Sequence, residues 1–331
     1  MKYPNFLKEN DIIGITAPSA GVGKHIDDFN KSIANLKDKR YRIKETKSVR
    51  NDNEVSTTAV ERIKELNELL VDKDVKTIIS AAGGDFLYEI MPYIDYKLIK
   101  NNPKWIMGAS DPTNLLYTIT TNLDIATIYG HNAGSFDSKK LHKSQEIALS
   151  FIKGEIKEQS SYSKYESNRD NRIDNNYAPD TKVNWELLNG DFNITGRIIG
   201  GCIDCLRYLP GTKYDKTKEF TEKYKKDGII WYFDIFSMTA EDFYLTLLQF
   251  RESGWFNYIK GVIVGRVLFP NGFTSMTYQK ALKKVFESIP LVFNADIGHV
   301  PPKMTIINGS IANIKCKDNK GVISQYLKWG D

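Results

Sequence analysis

Histidine and cysteine are scarce in this chain of 331 residues, with four of the first and three of the second. Three cysteines, Cys202, Cys205 and Cys316, are too few and too oddly numbered for a disulfide framework. Cys202 and Cys205 form a C-x-x-C, but no second pair and no nearby histidine completes a zinc site. Their helical spacing in an apolar segment reads as two small buried side chains. No stretch approaches the ~18 apolar residues that a membrane-spanning helix needs. The first ten residues lack the apolar core and small-residue cleavage site of a secretory signal, so the expected compartment is the cytoplasm. Net charge is only +5, and the lysine clusters at 37–44 and 213–226 are interrupted by acids. Solvated faces explain them better than a nucleic-acid footprint.

What remains is an ordinary globular composition, 41% apolar and 26% charged. The length suits two domains or one large one. In the first half, apolar runs at 11–18, 75–82 and 125–129 alternate with segments of helical period at 25–37, 60–70 and 86–94. Strand–helix alternation at this spacing predicts an α/β fold with parallel strands and helices on both faces. Residues 1–153 are therefore expected to form an N-terminal α/β domain. Residues 154–181, rich in Lys, Glu, Ser, Asn, Asp and Tyr and without a clean period, read as a linker or irregular surface segment. Residues 182–331 read as a C-terminal β-rich domain, with a strong strand at 228–235, further strands at 262–265 and 291–296, and a hairpin over Thr305–Cys316 that turns at Asn308-Gly309. Thr239-Ala-Glu-Asp242 resembles a capping box ahead of a helix.

The most informative stretch is Lys104-Trp-Ile-Met-Gly-Ala-Ser-Asp-Pro-Thr-Asn-Leu-Leu-Tyr117. An apolar run ends at Gly108, and Asp111-Pro112 opens an amphipathic segment, which reads as strand, tight turn and helix with Ser110 on the turn. A helix N-terminus there favours an alkoxide or oxyanion nearby. The order resembles a nucleophile elbow without its second glycine. The alternative is that Ser110 simply caps the helix. In a parallel sheet the ligand site lies beyond the C-terminal strand ends. Gly83-Gly84, Ser110 and Gly130-His131-Asn132 all fall on that edge.

A serine nucleophile needs a base, and the base an orienting acid. His25 and His142 sit among lysines in helical surroundings, and His131 belongs to a turn. By elimination His299, in Asp296-Ile-Gly-His-Val-Pro-Pro302 directly after an apolar strand, is the best base; the alternative is a structural loop histidine. Asp234 ends the apolar run Ile229–Phe233, where a charge is costly unless paired. It is either the acid or a buried carboxylate satisfied by backbone amides or an arginine such as Arg266. Glu241 and Asp242 compete for the role but are explained by a helix start.

Gly108-Ala-Ser-Asp111, the Gly83-Gly84 turn, 228–235, Val262-Ile-Val-Gly-Arg266 and 296–302 together resemble the LD-carboxypeptidase family, which includes the microcin C self-immunity peptidases. The resemblance implies a serine peptidase or amidase with a Ser–Glu–His set. The nucleophile would come from an N-terminal parallel-sheet domain, and the acid and base from a C-terminal β-rich, barrel-like α+β domain. It implies no metal, no cofactor and a homodimer. On this sequence it makes Ser110 the nucleophile and His299 the base, with the amides at Gly83-Gly84 and Asp111 receiving the oxyanion. The substrate would be a small peptide or peptidyl-nucleotide. Two positions depart from the family. Asp234 stands where the family has glutamate, withdrawing the carboxylate by roughly 1.5 Å, so the backbone must move closer or a water must bridge. Ala82 stands where murein-recycling members carry an arginine, and the following residues look more like the immunity branch. Three readings follow: a serine hydrolase, a catalytically impaired small-molecule-binding protein on the same scaffold, and a redox or metal protein built on Cys202 and Cys205.

Overall fold

The computed structural model describes residues 1–328. The first half builds one sheet. Its parallel strands are β1 (Ile12–Thr16), β2 (Arg42–Glu45), β3 (Val75–Ser80), β4 (Trp105–Gly108) and β5 (Thr127–Tyr129). Helices α1 (Ile26–Asp38), α2 (Ala59–Val71), α3 (Tyr96–Asn101), α4 (Thr113–Leu123) and α5 (Lys143–Ile152) connect and flank them. Strands β1, β3 and β4 are almost wholly buried, as near-continuous apolar runs in a parallel sheet should be. Thr58 starts α2 by accepting from the Glu61 N–H at 3.3 Å.

Residues 154–181 are folded against the rest of the chain. They supply the short edge strand β6 (Gln159–Ser160), and β7 (Lys164–Tyr165), which pairs with β8 (Thr181–Lys182). Few aliphatics are involved, which is why hydrophobic periodicity gives no signal here. The segment is held by a buried ion pair, Glu166 with Arg172 at 2.7 Å, and by Arg172 stacked on the Tyr177 ring at 4.7 Å.

The remaining strands are β9 (Glu186–Leu187), β10 (Phe192–Cys202), β11 (Ile229–Asp234), β12 (Ile259–Gly265), β13 (Leu291–Ala295), β14 (Ile306–Asn308), β15 (Ile311–Lys317) and β16 (Lys320–Tyr326). A second, mixed sheet runs in the order β6-β16-β15-β10-β11-β12-β13-β9. Strand β10 joins its two halves, antiparallel to β15 up to Arg197 and parallel to β11 from Arg197 onward. Helices α6 (Ile203–Leu206), α7 (Thr217–Lys223), α8 (Ala240–Glu252) and α9 (Tyr278–Val285) complete this lobe. Thr239 caps α8 by accepting from the Asp242 N–H at 3.0 Å.

The expected hairpin over Thr305–Cys316 does not form. Strand β14 pairs antiparallel with β5 in the first sheet, whereas β15 belongs to the second. Asn308 explains the split. Its side chain accepts from the Gly200 N–H at 3.2 Å and from Tyr232 Oη at 2.9 Å, tying the turn between the sheets. The hairpin is instead β15–β16, turning at Asp318-Asn319, both with positive φ.

Helix α4 lies between the sheets, and nine of its residues are buried. Tyr117 from this helix stacks on Trp255 at 5.2 Å, and Trp255 stacks on Trp231 of β11 at 5.6 Å. Wide aromatic contact on a helix sealed from both sides fixes its N-terminus, and with it the Ser110 turn.

Candidate active site

Ser110 follows β4 by two residues and has φ 67, a left-handed conformation that a serine adopts only under constraint. The constraint is visible on both sides. Asn132 brackets Ala109, accepting from its N–H at 2.9 Å and donating to its carbonyl at 3.2 Å. The Ser110 N–H donates to Tyr129 Oη at 3.1 Å, and its carbonyl accepts from Thr113 N–H at 2.9 Å to open α4. A Cβ on Gly83 would sit 3.2 Å from Ser110 Oγ, so the double-glycine turn lies directly against the hydroxyl. At Gly84 a Cβ would meet Ala20 N at 2.9 Å and Ser19 Oγ closer still.

Asp111 does more than lend an amide. Its buried carboxylate accepts from Ser19 Oγ and, at 2.7 Å, from the Leu87 N–H. It thereby fastens the loop after Gly84 to the serine turn. Burial pushes its pKa up, and the two donors only partly offset this. The Gly84 and Asp111 N–H groups have no acceptor among the described residues.

Asp234, fully buried at the end of β11, is not satisfied by Arg266, which pairs instead with Asp296 at 2.6 Å. His299 Nδ1 lies 2.7 Å from Asp234 Oδ2, a close polar contact rather than a well-aligned hydrogen bond. The His299 backbone N–H donates to Oδ1 at 3.2 Å. Tyr129 Oη donates to the same carboxylate. Burial opposes ionisation of Asp234, but the imidazole and these donors outweigh it and hold the pKa below the usual carboxylate range.

Asp234 reaches His299 directly, and Gly298 is the reason. This residue has φ 99, and a Cβ there would lie 2.9 Å from Asp234 Cβ and closer to the carboxylate itself. Only a bare backbone lets the His299 loop come this near.

Tyr129 joins the two lobes chemically. One hydroxyl accepts from the Ser110 amide and donates to Asp234, so hydrogen bonds link the nucleophile turn to the acid, and the imidazole lies in close contact with that acid. Sequence reasoning missed Tyr129 because it reads as one more core aromatic in an apolar strand.

A cavity of about 470 Å³ is lined by His299, Gly83, Ala82 and His131 together with Arg169, Arg172, Tyr177 and Lys303. Arg169 Nη2 also donates to the His299 carbonyl at 3.1 Å, and the Glu166 N–H donates to the Pro301 carbonyl at 2.8 Å. Residues 154–181 thus wall the site. Burial lowers the Lys303 ammonium pKa to about 8. His131 is fully buried with both ring nitrogens unpartnered, and burial holds it well below the usual range, as a neutral imidazole.

Cys202 and Cys205 are free thiols at the start of α6. The contact between them, burial and neighbouring carboxylates raise the Cys202 pKa well above normal, which disfavours the thiolate.

A parallel sheet carries the serine turn, and Tyr129 links that turn to a buried aspartate in contact with a part-exposed histidine from the other half of the chain. The LD-carboxypeptidase N-terminal domain matches residues 13–130 and the C-terminal domain residues 195–314. The chain belongs to the LD-carboxypeptidase family and is a hydrolase of the peptidase and amidase type. A putative carboxypeptidase of Treponema pallidum (strain Nichols) is 24% identical, over 93% of this chain and 90% of its own length. The microcin C7 self-immunity protein MccF of Escherichia coli is 27% identical, over 82% and 80%. A solved structure of MccF in complex with aspartyl sulfamoyl adenosine matches with a TM-score of 0.82 at 24% identity, covering 98% and 99% of the two chains. An MccF-like protein from Bacillus anthracis str. Ames matches with a TM-score of 0.84 at 24% identity, covering 99% and 100%.

Proposed function

We propose that Ser110 is the nucleophile, His299 the general base and then the general acid, and Asp234 the carboxylate that orients the imidazole. His299 takes the hydroxyl proton as Oγ attacks an amide carbonyl, and Asp234 holds the resulting imidazolium. The free N–H groups of Gly84 and Asp111 receive the oxyanion, in a turn already fixed before substrate arrives. The amide C–N bond breaks as His299 returns the proton to the leaving amine. Water, activated by the same imidazole, then releases the acyl-enzyme. The observation that carries this reading is the Ser110–Tyr129–Asp234–His299 path, which ties elements of both sheets into one unit.

The substrate in this reading is a small peptide-like molecule with a free carboxylate, or a peptidyl-nucleotide of the kind suggested by the MccF complex. Arg169 and Lys303 beside His299 supply the cationic wall such an anion needs. Catalysis by these groups calls for no cofactor. The family resemblance extends the proposal to a cytoplasmic homodimer, which sedimentation of the purified protein checks; among the described residues no helix is long and apolar enough to cross a membrane.

A serine-directed fluorophosphonate tests the central claim. An adduct on Ser110, lost in Asp234→Asn and His299→Ala, is the expected result. Absence of an adduct across the full pH range of stability defeats it. If activity appears only in Asp234→Glu, the native chain is a binding protein instead.

A further inference from the structure

Behind His299 sits a donor set that the proposed reaction uses only in part. One ligand atom from each of Cys202, Asp234 and His299 lies within 4.8 Å of the others. The arrangement follows from the sheet. Cys202 and Asp234 are direct register partners on β10 and β11, so their side chains leave the sheet on the same side. The Cys202 N–H is anchored to Thr113 Oγ1 at 3.0 Å, which fixes the thiol at the root of α4. The imidazole is the adjustable member, since it stands at the cavity edge with 14% of its side chain exposed while Asp234 has none.

The chemistry is specific. A thiol, an imidazole and one carboxylate match zinc, whereas magnesium and calcium favour oxygen donors. Zinc with bonds of about 2.3 Å to sulfur and about 2.0–2.1 Å to nitrogen or oxygen spaces its ligands roughly 3.4–3.6 Å apart. The thiol therefore needs to draw in by about 1 Å, while the imidazole nitrogen and the carboxylate oxygen, 2.7 Å apart, move apart by roughly 0.7 Å, both within reach of a small imidazole rotation. Asp204 and Asp111 add negative charge nearby, with Asp204 Oδ2 at 3.7 Å from Cys202 Sγ and Asp111 Oδ1 at 3.9 Å from Cys205 Sγ. On binding, the Cys202 thiol releases its proton to solvent, and thiolate plus carboxylate balance the dication.

We propose that Cys202, Asp234 and His299 form a zinc-binding site that switches the hydrolase off by occupying the lone pairs of its base and its orienting acid. The inhibitory half rests on the catalytic reading above; the binding half does not.

Reduced, metal-free protein is titrated with Co²⁺ and, separately, with buffered Zn²⁺. The expected result is one equivalent of Co²⁺ with a thiolate-to-metal charge-transfer band in the near ultraviolet. Zn²⁺ removes hydrolysis and fluorophosphonate labelling, and EDTA restores both. Cys202→Ser abolishes the band and weakens zinc inhibition by roughly tenfold or more while keeping basal hydrolysis. Cys205→Ser keeps both. Cys202→Ala serves if the serine variant does not fold. Absence of a charge-transfer band in the native protein overturns the site, as does a Cys202 variant that remains fully zinc-sensitive. A protein that binds Co²⁺ through Cys202 yet shows no hydrolysis sinks the catalytic reading alone.

Discussion

Alanine at position 298 adds one methyl group and challenges the proposed site where it is most exposed. A Cβ there would sit 2.9 Å from Asp234 Cβ and nearer still to its carboxylate, against an optimum of about 3.5–4.0 Å between carbons. The loop or the acid must retreat by roughly 1 Å, and misplacement of that size can cost about 10²-fold in rate. If the Asp–His contact at 2.7 Å is lost altogether, the loss approaches the roughly 10⁴ that follows when the orienting acid of a serine protease is disabled. The φ of 99 adds strain of about 1–3 kcal/mol for any residue with a side chain. Gly190→Ala is the matched control, since its φ is 85 and nothing lies within 4 Å of the added carbon. Both variants should lose stability in denaturant titrations, but only Gly298→Ala should slow hydrolysis and fluorophosphonate labelling. Labelling of Gly298→Ala within about threefold of the parent would refute the idea that the bare glycine lets Asp234 and His299 meet.

Ser110→Ala should abolish labelling, and Ser110→Gly should do the same while being about 1 kcal/mol more stable than the alanine variant, because φ 67 suits glycine; chemical denaturation compares them. Tyr129→Phe removes both the acceptor of the Ser110 amide and a donor to Asp234, so turnover should fall and the acid limb of the pH–rate profile should move to higher pH. Because the folded-state pKa of Asp234 lies below its ordinary value of 3.8, its ionisation stabilises the fold above about pH 4 and the benefit is lost as pH falls further. The stability gap between the parent and Asp234→Asn should therefore narrow on acidification. Lys303→Met should raise KM for peptides with a free carboxylate more than for their amides. In the parent that preference should fade as pH rises through about 8, where the ammonium discharges.

Local signals carried much of this architecture. The strand–turn–helix around Ser110, the acid ending an apolar strand and the glycine before His299 each concentrate a physical oddity within a few residues. What escaped depends on contacts between distant segments. Tyr129 is indistinguishable from a core aromatic until its hydroxyl is seen between Ser110 and Asp234. Asp111 looks like helix-end chemistry, yet its carboxylate seizes Ser19 and Leu87. Residues 154–181 offer almost no aliphatic pattern, because charge pairing and ring stacking hold them in place over the cavity. Asn308-Gly309 fits a hairpin turn by composition, and only the pull of two sheets on Asn308 sends its flanking strands apart.

Strand β14 laces the lobe bearing the imidazole into the sheet bearing the serine. A seam closed by backbone ladders cannot swing like a hinge without local unfolding. Turnover in such a scaffold would be gated by small shifts in the loops that wall the cavity, and reagents that stiffen those loops should slow it more than any brace across the lobes.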